Sequence, residues 1–218
     1  MSSNYHSIDS ALKNYLTDFF VYNKNTKNRQ RQRPYKWERI KEVLELITSL
    51  NPNLVLDLGC GDNRYKPLVK NLIGIDIAYD PNADIIGDIT TLDFEDNSVD
   101  AIIAYGSINF GDKELIIKQL TEAKRVLKDK GIICIRAYSN SDNFYYKWTE
   151  DKCQYFTEKF NFSFIEKPKT VRRLNGKGKI NETWQDIRSV RFNKDSKKIR
   201  EITRLHWLSL IHISEPTR

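Results

Sequence analysis

The sequence predicts an α/β fold in which a doubly wound, mostly parallel β-sheet is covered by helices on both faces. Short runs rich in valine, isoleucine and leucine recur along the middle of the chain with turns between them, which is typical of buried parallel strands. A clear amphipathic helix lies between two of these runs. The first run leads into a turn with two glycines. A length of 218 residues suits one domain of this class.

Two helices and a basic connection precede the first predicted strand. Residues 7–22 place apolar side chains on one helical face, behind Ser7 as a cap. Residues 23–34 are polar and basic without helical periodicity, which indicates an exposed linker or a lid. A second amphipathic helix follows at residues 36–50. We therefore assign residues 1–34 to an N-terminal helix with a basic linker or lid, and residues 35–207 to the main domain.

Apolar runs and periodicity place the remaining elements. Parallel strands are expected at residues 54–58, 72–77, 84–89, 99–105 and 131–138. Helices are expected at residues 112–128 and 144–160, the second of which is rich in aromatic side chains. Later strands are expected at residues 162–173, 184–192 and 199–207, with Asn175-Gly176 as a hairpin turn.

The last eleven residues, 208–218, read LSLIHISEPTR. This string resembles the in-frame translation of a sequencing adapter, so we expect a non-native tail. On that interpretation the natural sequence is cut off near Trp207, and the tail is left out of the functional argument.

The composition narrows the class of protein. No run approaches the ~18 apolar residues that a membrane-spanning helix needs, and the N-terminal residues do not form a secretory signal. The three cysteines, without regular spacing, argue against a disulfide framework. No histidine or cysteine cluster has the spacing of a metal site. These features predict a cytoplasmic protein without a bound metal.

The formal net charge of +7 conceals a split along the chain. Residues 51–110 carry three basic and ten acidic side chains, whereas residues 167–204 carry thirteen basic and four acidic ones. The basic ends are either a solvated surface or a face for an anionic partner such as nucleic acid.

Acidic residues end three successive predicted strands. Asp57 stands before the turn of Gly59 and Gly61, Asp76 ends the second strand, and Asp88 ends the third. In a doubly wound sheet, ligands bind at this carboxyl edge, and a carboxylate there can accept hydrogen bonds from ribose hydroxyls. Glycine in the turn lets the backbone approach a ligand closely.

The segments VLDLGCGDN, IGIDI, GDITTLDFEDNSVDAIIAY and EAKRVLKDKGIICI together resemble the motifs of class I S-adenosylmethionine-dependent methyltransferases. They are most similar to the type-eleven methyltransferase domain, over roughly residues 35–138. The resemblance implies a Rossmann-like sheet of order 3-2-1-4-5-7-6 with an antiparallel last strand, and S-adenosylmethionine as cofactor. It assigns the methionine part to Asp57, Gly59 and Gly61, the ribose to Asp76, the adenine to Ile77, Asp88 and Ile89, and a cofactor-facing position to Tyr105.

Three features depart from the family pattern. Asn63 replaces the third glycine of the loop. Only six residues separate Ile77 from Asp84, so the usual helix between the second and third strands is missing. We expect the final antiparallel strand at residues 199–207, where it would end early.

The acceptor side is less defined by the sequence. Ser107 and Asn109 follow the fourth strand and could position an acceptor, or they could cap the next helix. The aromatic segment 144–148, with Tyr155 and Phe156, could stack on a planar acceptor or pack on the sheet. No base is required unless the acceptor is weakly acidic, because transfer depends mainly on alignment.

We predict a methyltransferase with a small-molecule acceptor. An RNA methyltransferase and a non-catalytic binding module with the same fold remain as alternatives. Arg29, Arg31, Arg33 and Lys36 are expected over the cofactor site, where they could attract an anionic acceptor. The second basic block, from Lys167 to Arg204, is expected away from that site.

Overall fold

The computed structural model describes residues 34–78, 82–139, 146–174 and 180–191. These residues form three helices and a seven-stranded sheet of order β3-β2-β1-β4-β5-β7-β6. The helices are α1 (Pro34–Ser49), α2 (Lys113–Val126) and α3 (Glu150–Lys159). The strands are β1 (Val55–Leu58), β2 (Leu72–Asp76), β3 (Ile85–Ile86), β4 (Val99–Tyr105), β5 (Leu127–Tyr138), β6 (Phe162–Leu174) and β7 (Ile180–Arg191).

The predicted sheet order is confirmed, but the antiparallel strand is a different segment. Strand β7 is antiparallel to both β5 and β6 and lies between them. The expectation that this strand occupies residues 199–207 is therefore wrong. The hairpin between β6 and β7 supplies the antiparallel strand earlier in the chain, so seven strands are complete by Arg191. Residues 199–207 lie outside the described residues, as do the predicted helix at 7–22, the basic segment 23–33 and the tail at 208–218.

Helices cover both faces of the sheet, as predicted. On one face α1 packs through buried residues such as Leu44 and Ile47 against Val55 of β1 and Ile103 of β4. On the other face α2 and α3 pack against the opposite side chains of the same strands, among them Leu56. Successive side chains of each strand thus pack against helices on opposite faces, which explains why the strands are apolar on both faces.

The start of α1 lies at the carboxyl edge of the sheet. A short connection joins the end of α1 to the amino end of β1, so helix and strand run in opposite directions. The Glu42 carboxylate accepts a hydrogen bond from Arg188 of β7 at 2.8 Å. Lys36 was predicted near the cofactor site. It lies about 9 Å before Glu42 along the helix axis, in the part of α1 that approaches this edge.

The connection from β2 to β3 is short, as predicted. No helix occurs in its described residues, and β3 pairs with β2 through only two residues. Both side chains of β3, Ile85 and Ile86, are exposed. The strand predicted at 84–89 is shortened because the chain turns away after Ile86.

The hairpin of β6 and β7 projects beyond the carboxyl edge of the sheet. Pairing of β5 with β7 ends at Tyr138 and Trp184, whereas pairing of β6 with β7 continues to Leu174 and Ile180. The extension is three to four residues, or about 10–13 Å. It includes Arg172 and Arg173 of the second basic block. This part of the block therefore extends past the carboxyl edge, on the outermost strand of the sheet, and the expectation that the block lies away from the site stays a prediction.

Two other boundaries differ from the prediction. Helix α2 ends at Val126, where Leu127 adopts an extended conformation and begins β5 four residues earlier than expected. Helix α3 begins at Glu150, because the side chain of Thr149 caps its first turn by accepting a hydrogen bond from the Lys152 amide. Residues 144–145 of the predicted helix lie outside the described residues.

Candidate functional site

The predicted cofactor residues all lie at or just after the carboxyl ends of β1, β2, β3 and β4. Parallel pairing sets Asp57 beside Gly74 on one side and beside Ile103 on the other. Asp76, at the end of β2, pairs with Ile86 of β3, two residues before Asp88. Three aspartates and the glycine turn therefore meet at one edge, which is where a doubly wound sheet binds ligands.

The glycine turn is packed between the neighbouring strand ends. Gly59 and Gly61 have positive φ values of 71° and 53°, a conformation that glycine adopts at little cost. The amide of Gly59 donates to the Ile75 carbonyl at 2.7 Å, and that of Gly61 donates to Asp76 Oδ2 at 2.8 Å. A Cβ on Gly59 would lie 2.4 Å from the Cβ of Ser107, whereas a Cβ on Gly61 would meet nothing within 4 Å.

This contrast predicts different costs for two alanine substitutions. Both Gly59→Ala and Gly61→Ala place a side chain at positive φ, but only Gly59→Ala also collides with Ser107. We expect Gly59→Ala to lower the free energy of unfolding by about 1–3 kcal/mol more than Gly61→Ala does. Urea denaturation of both variants measures the difference. Equal losses would contradict the close packing of the turn against the β4 loop.

Asp57 is a buried carboxyl group with an unpartnered oxygen. The residue is 2 % exposed, and its Oδ2 has no hydrogen-bond partner among the described residues. Burial raises the pKa of Asp57 to about 7; Arg64 acts against this, while Asp62 and Asp76 add to it. A buried carboxylate oxygen without a partner is costly. It fits a ligand that brings a positive charge or an N–H donor to this point.

Asp76 and Asp88 both keep acceptor capacity. Asp76 accepts from the Gly61 amide through Oδ2 and from the Ala78 amide through Oδ1 at 2.9 Å. Asp88 is exposed and accepts from the Thr90 amide through Oδ1 at 2.8 Å. A carboxylate has about four acceptor positions. Each side chain is therefore held in place by backbone amides and can still bind hydroxyl or amine donors.

The two isoleucines beside these aspartates differ in environment. Ile77 is 71 % exposed next to Asp76, so its side chain is available to a ligand. Ile89 is 9 % exposed and belongs to the core cluster that includes Leu92 and Leu120.

A polar cluster stabilises the side of the site next to the β2–β3 connection, where the usual helix is missing. The Asn63 amide group donates to Asp84 Oδ2 at 3.0 Å and to the Asn82 carbonyl at 2.8 Å. Asp84 also accepts from the Gly74 amide and from Lys66 Nζ, both at 2.8 Å. Partial burial acts to raise the pKa of Asp84, but these hydrogen bonds hold it below its ordinary value. Asn63 at the third glycine position thus ties the glycine loop to the β2–β3 connection, and the sequence analysis gave no role to Asp84.

Tyr105, at the end of β4, is held by a buried ion pair. The guanidinium carbon of Arg136 lies 4.6 Å from the centre of the Tyr105 ring, and Tyr65 packs edge-on at 6.3 Å. Arg136 donates to both oxygens of Asp186, at 2.7 and 3.1 Å. Burial raises the pKa of Tyr105 well above its ordinary value, and the charge of Arg136 acts against this. The sequence analysis missed Arg136 and Asp186, because no local pattern connects two residues fifty positions apart.

The acceptor-side candidates are buried and incompletely bonded. Ser107 is 9 % exposed and Asn109 is 1 % exposed. Ser107 Oγ, Asn109 Oδ1 and Ser139 Oγ have no hydrogen-bond partners within the described ranges. The Tyr146 amide donates to the Asn109 carbonyl at 2.8 Å. The loop after β4 is therefore tied to the segment before α3.

The aromatic side chains of this region divide into two groups. Trp148 and Phe156 are buried in the core against the sheet, which is the packing alternative of the sequence analysis. Tyr155 and Phe110 are 40 % and 45 % exposed, so their rings are available to a ligand.

None of the described helices has the length and apolar character needed to cross a membrane. Within the residues that the structure describes, histidine, cysteine, aspartate and glutamate side chains form no group of three or more that could bind a metal ion. The three cysteines are buried and unpaired, including Cys60 in the glycine loop.

The chain is similar to methyltransferases in sequence over part of its length and in fold. Residues 56–135 match the family model for a methyltransferase domain. The chain is also 38% identical over 117 residues to a demethylmenaquinone methyltransferase of Thermotoga maritima, an alignment that covers 46% of this chain and 49% of that protein. The chain spans about half the length of the curated relatives it matches.

Solved structures agree on the fold. The 1,6-didemethyltoxoflavin-N1-methyltransferase of Burkholderia thailandensis, solved with 1,6-didemethyltoxoflavin and S-adenosylhomocysteine, has a TM-score of 0.56 at 12% identity, covering 88% of this chain and 92% of that one. The [4+2]-cyclase SpnF has a TM-score of 0.56 at 14% identity, covering 76% of this chain and 85% of that one. At these identities the likeness concerns the fold alone.

Proposed function

We propose that this protein is an S-adenosylmethionine-dependent methyltransferase. The observation that carries the proposal is the unpartnered, buried carboxylate oxygen of Asp57, which lies behind a glycine turn and beside two more strand-end aspartates. The methyltransferase-domain match over residues 56–135 supports it independently.

The residues present fit this cofactor. Asp57, Gly59 and Gly61 would hold the methionine part, where the unpartnered oxygen can accept from a charged amino group. Asp76 would accept from the ribose hydroxyls and Asp88 from the adenine amine, with Ile77 and Ile89 beside the ring. Tyr105 would face the cofactor from the end of β4. The cofactor supplies an activated methyl group on a sulfonium, and its positive charge suits the acidic residues 51–110.

The protein's contribution to transfer is alignment. Ser107 and Asn109 would position the acceptor, since both are buried with unpartnered oxygens in the loop after β4. Ser107 also lies against Gly59 of the glycine turn. Holding a nucleophile in line with a reacting carbon accounts for much of the catalysis in such displacements. We propose a small-molecule acceptor, and the name of the Thermotoga maritima relative supports that class. The cytoplasmic location and the absence of a bound metal stay predictions.

A nucleic-acid acceptor is a second candidate. The observation that favours it is the position of Arg172 and Arg173 beyond the carboxyl edge. Such binding would weaken with salt by roughly 0.7 log units per log unit of salt for each phosphate neutralised on a single strand. A non-catalytic module with this fold would bind the cofactor or an anionic partner without turnover.

Substitution of Asp76 tests the assignment of the cofactor. We expect Asp76→Ala to weaken binding of S-adenosylmethionine by about 1.5–3 kcal/mol, or roughly 10- to 150-fold, because hydrogen bonds to a charged carboxylate are lost. Isothermal titration calorimetry measures the affinity. Asp93→Ala is the charge-matched control, since Asp93 is exposed in the connection that enters the opposite end of β4.

The outcome separates cofactor binding from general electrostatics. Equal losses in the two variants would assign the effect to overall charge, and unchanged affinity in Asp76→Ala would remove this residue from the site. Urea denaturation of both variants checks that each remains folded.

A further inference from the structure

Three lysines converge beside the acceptor side of the edge. Lys113 is the first residue of α2, Lys147 precedes α3, and Lys152 lies in its first turn. Lys152 Nζ donates to the Lys147 carbonyl at 2.6 Å and lies 4.1 Å from the centre of the Tyr146 ring. Lys113 Nζ lies 4.4 Å from the centre of the Tyr155 ring. The contact of Lys113 with Tyr155 joins the start of α2 to the middle of α3.

The three lysines lie close in sequence to Asp112, Glu114, Glu150 and Asp151 but are not paired with them. Within the described ranges none of the three lysines forms an ion pair, whereas Lys66 and Lys128 are each paired with an aspartate at 2.7–2.8 Å. Burial lowers the pKa of Lys152, and the charges of Lys147 and Lys113 lower it further. An ammonium over an aromatic ring keeps N–H groups that can donate to an anion.

The cluster borders the acceptor candidates. Asn109 lies in the loop after β4, and Lys113 begins α2 four residues later. The Tyr146 amide donates to the Asn109 carbonyl. The carboxyl edge is thereby divided: acidic side chains follow β1, β2 and β3, and three lysines without ion pairs among the described residues follow β4 and β5. The first half suits a cationic cofactor, and the second half suits an anionic acceptor.

We propose that Lys113, Lys147 and Lys152 bind a phosphate group of the methyl acceptor. The exposed ring of Tyr155, against which Lys113 lies, suits a planar portion of the same molecule. This inference rests on the proposed methyltransferase function and adds the chemical class of its acceptor. Ammonium groups on neighbouring residues match the multiple charge and three acceptor oxygens of a phosphate.

The surroundings favour a compact phosphate over a long polyanion. Glu150 and Asp151 stand between Lys147 and Lys152, and Glu158 lies further along α3; all three are exposed. Glu114 follows Lys113. These carboxylates would repel the neighbouring phosphates of a nucleic acid strand. A small phosphorylated acceptor brings fewer phosphate groups near these carboxylates and is repelled less.

The test uses inorganic pyrophosphate as the probe. Isothermal titration calorimetry is performed on the full chain with S-adenosylhomocysteine at saturation, so that the cofactor side is filled. We expect pyrophosphate binding to weaken about 10-fold in Lys113→Gln and in Lys152→Gln, because each loses a charge-assisted hydrogen bond. Lys159→Gln is the matched control, since Lys159 is exposed at the far end of α3, and it should bind as the wild type does.

Each result has a defined meaning. Failure of S-adenosylhomocysteine to bind the wild type would overturn the proposed function. Binding of S-adenosylhomocysteine with no pyrophosphate binding, or with equal pyrophosphate affinity in all four proteins, would overturn the phosphate site alone. A labelled single-stranded RNA of twelve nucleotides that binds through the lysines more tightly than pyrophosphate would overturn the compact acceptor in favour of a nucleic acid.

Discussion

Replacing Asp57 with asparagine should stabilise the free protein above pH 7 and weaken its binding of the cofactor. The folded-state pKa of Asp57 is about 7, raised from 3.8 mainly by burial. Between these values the folded protein holds a proton that the unfolded chain releases, so the contribution of Asp57 to stability falls as the pH rises. Asparagine removes this dependence because it does not ionise.

The expected effect follows from the size of the pKa shift. Between pH 5 and pH 8, Asp57→Asn should gain about 2–3 kcal/mol in free energy of unfolding relative to the wild type. Urea denaturation of both proteins at the two pH values measures this gain. A difference that is the same at pH 5 and pH 8 would show that Asp57 does not titrate in this range. Calorimetry at pH 8 should show weaker S-adenosylmethionine binding in the variant, since the uncharged amide no longer attracts a cation.

Removing Asp186 should destabilise the protein by about 3–5 kcal/mol, because it leaves the Arg136 charge buried without a partner. Arg136 is 8 % exposed, and its two hydrogen bonds to Asp186 are both buried. The variant Asp186→Ala is compared with the wild type by urea denaturation at pH 7.

A double substitution provides the control for this pair. Arg136→Met combined with Asp186→Leu removes both charges and replaces them with apolar side chains, which is often close to neutral for a buried ion pair. We expect the double variant to be more stable than Asp186→Ala. A double variant as unstable as the single one would show that shape at this position, and not the unpaired charge, determines the loss.

Much of the fold was predictable because its signals are local. The strands from β1 to β5 are short apolar runs, and the helix at α2 has an apolar stripe on one face. The segment assigned to the antiparallel strand was wrong, because an apolar run does not reveal its partner strand. Strand β7 takes its place between β5 and β6 through a hairpin, and several late segments were equally suitable on pattern alone.

The site shows the same division between local and long-range information. The glycine turn and the strand-end aspartates can be recognised from neighbouring residues, and they do lie at one edge of the sheet. The bonds from Asn63 to Asp84 and from Arg136 to Asp186 join distant parts of the chain. The lysine cluster likewise depends on how α2 and α3 pack. Such contacts follow from the tertiary structure, so sequence periodicity carries no sign of them.

The brevity of β3 has a consequence for solubility. A long apolar strand at the edge of a sheet offers unpaired backbone groups to other chains and promotes aggregation. Here the edge strand has only two residues, Ile85 and Ile86, whose exposed apolar side chains are flanked by Asp84 and Asp88. Too few backbone groups are aligned to template another strand, and the flanking charges oppose its approach. Insertions that lengthen β3 with apolar residues would remove this protection.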